Sequence, residues 1–128
     1  MPRYLSHEWL DLLVELAQEF PERPGATARM QSVITGAPEG DAKYYQVVDN
    51  GKMVEATLGE DPEAEFTMTQ TYDDAVLVLK GDLDPNAAFM QGRLKVTGNM
   101  GKLMSLMPLT QSAEYKAIQA KLAEQTTY

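Results

Sequence analysis

The sequence contains no cysteine and a single histidine, His7. The first absence excludes disulfides and thiolate metal sites. The second leaves a Ser-His-Asp triad or a Cys-His dyad little to be built from, because His7 stands near a helix start and reads as a surface residue. No run of eighteen apolar residues occurs, so no membrane-spanning helix is expected. Basic residues are also scarce: 11 Lys and Arg stand against 19 Asp and Glu, a net charge of −8. That balance excludes the basic footprint of a non-specific nucleic-acid binder, and no nucleic-acid partner is expected. There is no His-Glu-x-x-His, no EF-hand loop and no Walker loop. Gly92, Gly98 and Gly101 span a whole strand instead of one strand–helix turn, which is not a dinucleotide fingerprint. No catalytic residue, metal site or cofactor is therefore expected. The opening residues, with Arg3 followed by His7, Glu8 and Asp11, do not read as a signal or transit peptide. Together with the missing cysteines they suggest a cytoplasmic setting.

What is there fits one globular domain over residues 1–128, with 44% hydrophobic residues and enough chain to bury roughly two-thirds of its unfolded surface. The charge is unevenly spread. Residues 1–65 hold 13 acids and 5 bases, whereas residues 66–128 hold 6 of each. An acidic first half keeps the chain in water, and the neutral second half is the part suited to a ligand, a membrane surface or a partner.

The spacing predicts a helix from Ser6 to Phe20. Ser6 is a good N-cap, and Trp9, Leu12, Leu13, Leu16, Ala17 and Phe20 form one apolar stripe; Pro21 and Pro24 end it. Antiparallel strands follow at Thr27–Thr35, Lys43–Val48, Met53–Leu58 and Glu65–Gln70, with Phe66 and Met68 on one face of the last. Asn50-Gly51 is a hairpin turn, since both residues tolerate positive φ. Thr71 opens a helix with Asp74 in the capping-box position, and the Asp73-Asp74 pair stabilises the helix dipole. Val76, Leu77, Val78 and Leu79 predict that this helix is well buried. Asp84-Pro85 starts another, Arg93–Thr97 a fifth strand, Met100 a further helix kinked at Pro108, and Ser112–Glu124 the last. Residues 125–128 are expected to fray.

Four of the eight methionines fall between Met90 and Met107. Methionine is flexible and polarisable, and suits cavities that accept several ligand shapes. Arg93, Lys95 and Lys102 form a local basic patch that could meet an anionic head group. As strand residues, Arg93 and Lys95 should point to the polar side of the sheet. The kink at Pro108 could loosen the last helix as a lid.

Leu83-Asp84-Pro85, followed by Ala88-Phe89-Met90-x-Gly92-x-Leu94-Lys95-Val96-x-Gly98-Asn99-Met100, resembles the signature of the sterol carrier protein type two family. The order of elements is similar too: helix, four-stranded meander, short helices, fifth strand, closing helices. The family often has an acid where Asn99 stands; both cap helices. The resemblance implies an α+β fold, a five-stranded mostly antiparallel sheet with helices on one face enclosing an apolar tunnel. It also implies binding of fatty acyl chains, acyl-CoA, phospholipid or sterol-like molecules without chemical turnover. Animal members end in a peroxisomal signal; here Ala120-Lys121-Leu122 is internal, and no such address is expected.

On that reading the tunnel wall would draw on Trp9, Leu13, Phe66, Met68, Val76, Leu79, Phe89, Leu103, Met104, Met107 and Ile118. The expected partner is a lipid or other hydrophobic small molecule, with transient membrane or enzyme contact. The alternative is a non-catalytic interaction module of the same fold that assists an enzyme acting on hydrophobic substrates.

Overall fold

Strand β1 (Ala28–Thr35) lies at the centre of a five-stranded sheet ordered β3-β2-β1-β4-β5. The computed structural model describes residues 2–20, 22–38, 40–110 and 112–128, the side chains of Asn86 and of residues 107–110 excepted. The readings placed on Pro21, on the side chain of Met107 and on a kink or lid at Pro108 lie outside the described residues. The other strands are β2 (Ala42–Asp49), β3 (Lys52–Leu58), β4 (Phe66–Thr71) and β5 (Lys95–Gly98). The helices are α1 (His7–Ala17), α2 (Tyr72–Lys80), α3 (Pro85–Met90), α4 (Met100–Thr110) and α5 (Ala113–Glu124). Among the described residues no helix is long and apolar enough to cross a membrane.

The first three strands form an antiparallel meander. Its second turn is Asn50-Gly51, with φ of 50° and 88°, as a type I′ turn requires. The fourth strand departs from the expected four-stranded meander: β4 runs parallel to β1, and only β5 is antiparallel to it. The sheet is therefore mixed, with three of its four pairings antiparallel.

A parallel neighbour normally needs a long crossover, yet only residues 59–65 connect β3 to β4. Register explains how they reach. β3 ends with Leu58 beside Tyr44, which pairs with Ser32, while β4 begins with Phe66 beside Met30. The chain must cross three strand spacings, roughly 14 Å, and step back only two residues. Side chains on the outer face of β1 hold this crossing. Gln31 Nε2 donates to the carbonyls of Tyr44 and Gly59, both at 3.0 Å, and its Oε1 accepts from Asp61 N–H at 2.8 Å. Arg29 Nε donates to Asp61 Oδ2 at 2.8 Å. Glu65 closes the loop by exchanging hydrogen bonds with Arg29.

The opposite face of the sheet carries the helices. Ala28, Met30, Ser32 and Ile34 alternate inward from β1 and are buried. Helix α1 begins at Ser6, whose hydroxyl accepts from Trp9 N–H, and buries Trp9, Leu10, Leu13 and Ala17. Phe20 is also buried, although the helix stops at Ala17. Thr71 caps α2 by accepting from Asp74 N–H, and Asn99 caps α4 by accepting from Lys102 N–H. Burial in α2 is narrower than its composition predicts: Ala75 and Leu79 are buried and Val76, Leu77 and Val78 are half-buried.

Residues 125–128 do not fray. Thr126 is buried and accepts from Trp9 Nε1 at 3.0 Å. Thr127 N–H donates to Pro2 O, and Tyr4 N–H to Thr127 O, each at 2.8 Å. Their polarity misled because the Thr126 hydroxyl and the Thr127 backbone have defined partners. His7 is exposed and faces Asp11 at 3.5 Å.

Two outcomes follow from this packing. Gly98 has φ of +112°, and a Cβ there would stand 2.7 Å from Glu65 O and from Phe66 Cα, both backbone atoms. Gly98→Ala should destabilise the fold by about 2–4 kcal/mol in urea titrations, because neither backbone atom can yield cheaply. Arg29 holds the Asp61 carboxyl below its ordinary value. A depressed carboxylate contributes stability above its unfolded pKa and loses it as pH falls through the folded one. The stability difference between wild type and Asp61→Asn should therefore shrink below about pH 4, as measured by denaturation midpoints across pH.

Candidate functional site

Between the inner face of the sheet and helices α1 to α5 lies a cavity of about 260 Å³, just under the usual range of about 300–1,000 Å³ for small-molecule sites. Its floor comes from alternate residues of the strands: Met30 and Ser32 of β1, Tyr44 and Gln46 of β2, Met68 and Gln70 of β4, and Val96 of β5. These are cross-strand neighbours, since Ser32 pairs with Tyr44 and with Met68, and Met68 with Val96. Trp9 and Leu13 of α1, Val78 and Leu79 of α2, and Tyr115 and Leu122 of α5 close the other side.

Of the expected wall residues, seven are brought together here: Trp9, Leu13, Met68, Leu79, Phe89, Leu103 and Met104. Three others stand off the cavity. Phe66 is 2% exposed and packs in the solid core at the start of β4, beside Met30 and Gly98. Ile118 is likewise core, and Val76 packs half-buried against it. Helical periodicity marks an inward face but does not distinguish a filled interior from a hollow one. Residues missed by the sequence reading are mostly on the sheet: Met30, Tyr44, Gln46, Gln70 and Val96. The period-two pattern that placed Phe66 and Met68 inward reaches Gln70 one step later, so that signal was available.

The cavity has an edge that meets solvent. Phe89 of α3 and Met100 and Met104 of α4 line it and are also 43%, 41% and 63% exposed. Met90 beside them is 85% exposed. Apolar side chains that both line a cavity and face water form a rim.

Aromatic rings stiffen the deep end. Tyr4 meets Trp9 edge-on at 4.8 Å between centroids, and Phe20 stacks on Tyr115 at 5.7 Å. Burial pushes the Tyr44 phenol up to about 12, with a hydrogen bond from Ser32 opposing. Burial also raises Tyr4 and Tyr115, the latter opposed by Gln119, whose Nε2 donates to the phenol oxygen at 2.9 Å.

No lining residue among those described is charged. The basic patch read from the sequence is occupied elsewhere. Arg93 lies before β5 begins, so it does not follow the strand's alternation; its guanidinium pairs with Asp74 of α2 at 2.6 Å. That contact corrects the expectation that it points to the polar side of the sheet. Asp74 is held below its ordinary pKa by this partner. Lys102 pairs with Glu65 at 3.3 Å. Lys95 sits opposite Thr69 in the ladder, on the face away from the cavity. Among the described residues no group of three or more His, Cys, Asp or Glu is placed to hold a metal ion.

These features define a class: an α+β protein whose helices close an uncharged cavity over one face of a mixed five-stranded sheet. The model of the SCP-2 sterol transfer family matches residues 16–111, and the chain belongs to that family. It is 34% identical over 98 residues to sterol carrier protein 2 of Gallus gallus, a match covering 76% of this chain and 17% of that protein. It is 29% identical over 107 residues to non-specific lipid-transfer protein-like 1 of Caenorhabditis elegans, covering 82% of this chain and 84% of that one. A crystal structure of sterol carrier protein 2 shares the fold, with a TM-score of 0.69 at 17% identity over 98% of this chain and 100% of the other. The chain thus spans about a sixth of the Gallus gallus relative and most of the Caenorhabditis elegans one.

The buried phenols give a direct check on the closed interior. A tyrosine whose folded pKa is raised adds stability below its unfolded value of about 10 and loses it as pH rises toward the folded value. In an alkaline titration followed by phenolate absorbance, Tyr4, Tyr44 and Tyr115 should stay protonated while the chain is folded. They should then ionise together with the loss of structure.

Proposed function

We propose that the protein binds an apolar chain, or a comparably hydrophobic small molecule, in this cavity and releases it without chemical change. The observation that carries the reading is a cavity with uncharged walls that opens at a rim of exposed apolar side chains. Fatty acyl chains, acyl-CoA, phospholipids and sterol-like molecules all present such a body. The names of the two relatives, a sterol carrier protein and a non-specific lipid-transfer protein-like protein, point the same way.

The energetics suit a carrier. Each buried methylene contributes about 0.8 kcal/mol, and association costs about 4–15 kcal/mol. A chain that fills the cavity is then held with moderate affinity and leaves readily. Phe89, Met90, Met100 and Met104 supply the contact through which cargo passes from a lipid surface, because they are the apolar groups that water already touches. The acids that dominate residues 1–65 lie outside this stretch, and no acid occurs between Pro85 and Ala113.

A homologous series of uncharged straight-chain methyl esters tests the reading by displacement of an environment-sensitive fluorescent probe. Affinity should rise about tenfold for each two methylenes added, then level off once the chain fills the cavity. Native mass spectrometry of protein purified from its source should show co-purified lipid. Affinity independent of chain length, or an empty protein that displaces no probe, would overturn it.

A further inference from the structure

One polar group on the cavity floor lacks a protein partner among the described residues. Gln70 Oε1 is buried and has no hydrogen-bond partner among the described residues. The inward face of β4 reads Phe66, Met68, Gln70, of which the last two line the cavity, so an apolar series is broken by an amide at its third position. Leucine or methionine would continue the pattern. Two other polar side chains nearby are engaged. Gln119 donates to Tyr115, and Gln46 Nε2 lies 3.8 Å from Met53 Sδ. A buried acceptor left without a donor is a cost that folded chains seldom carry without a reason.

We infer that Gln70 selects the cargo: the cavity takes an apolar chain bearing one uncharged hydrogen-bond donor, which donates to Gln70 Oε1. This rests on the cavity being the ligand site, as proposed above. The donor is an alcohol, an N–H amide or a protonated acid, because the walls hold no counter-charge. An ionised carboxylate or phosphate would be buried unpaired, which is strongly unfavourable. Arg93 and Lys102 do not relieve that, since each already faces a carboxylate. Ionised head groups therefore stay outside the rim, while a neutral donor is drawn to the floor.

The test compares ligands of one chain length. 1-Dodecanol carries the donor, 1-methoxydodecane carries the same oxygen without it, and dodecanoate at pH 8 carries a charge. Wild type should bind the alcohol about tenfold more tightly than the ether and the carboxylate least tightly. In Gln70→Leu and Gln70→Met the alcohol should fall to within about twofold of the ether, while ether affinity holds or improves. Both variants should also unfold at a higher denaturant concentration than wild type, because the unpartnered acceptor is gone.

An alcohol preference that survives in both variants overturns the assignment of Gln70, as does a wild type that does not distinguish alcohol from ether. In both of those cases the ether still binds, and the cavity keeps its role as a chain-binding site. If neither alcohol nor ether binds, the cavity reading itself fails and the inference falls with it. The wild-type comparison needs no variant to fold.

Discussion

The seven residues that carry the chain from β3 to β4 decide what this molecule can be. They pass beneath the sheet and set β4 against β1, which makes β1 central and leaves one face of the sheet free for helices. Gln31 and Arg29 anchor the passage from the middle of β1, and Asp61 is the residue on which both converge. A buried carboxylate is tolerated there because its charge has a guanidinium and its Oδ1 a backbone N–H donor, that of Glu63. Outer-face polarity and inner-face hollowness are thus two results of the same strand, whose odd residues hold a loop while its even residues line a cavity.

How the interior stays hollow is a matter of side-chain size and stiffness. Trp9 meets the rings of Tyr4 and Tyr44, and Phe20 stacks on Tyr115, at 4.8 to 6.1 Å. Trp9 is in turn held by Thr126, so the α1 side of the wall is tied to the end of α5. The α3–α4 side has no comparable bracing among the described residues and is where the exposed apolar groups collect. One side of the container is built to stay put, and the other is built of unbranched methionine.

Much of this was legible in the sequence. Caps at Ser6, Thr71 and Asn99, the Asn50-Gly51 turn and the alternation in each strand all follow local rules, and local rules are what a sequence displays. The parallel placement of β4 was not legible, because it depends on register between strands far apart in the chain. Nor was the docking of Thr126 and Thr127, whose partners lie more than a hundred residues away. Trp9, Leu13 and Met104, read from helices, line the cavity, while Phe66, read from strand alternation, and Ile118, read from helical spacing, lie in the buried core beside it. Periodicity reports direction, and the difference between wall and filler is one of distance. Tyr44, Gln46 and Gln70 of the sheet floor carry polar atoms, so hydrophobicity alone did not mark them as lining residues.

The rim has a chemical liability that its shape does not suggest. Met90, Met100 and Met104 are the thioethers most open to water among the described residues. Oxidants act first on accessible sulfur, and a sulfoxide is polar and chiral where the thioether was neither. Three added oxygens would turn a greasy threshold into a wet one without touching the braced aromatic end. The vessel would keep its fold while its doorway changed character, and a reductase could restore it. The methionine content of this rim therefore also ties it to the redox state of its surroundings.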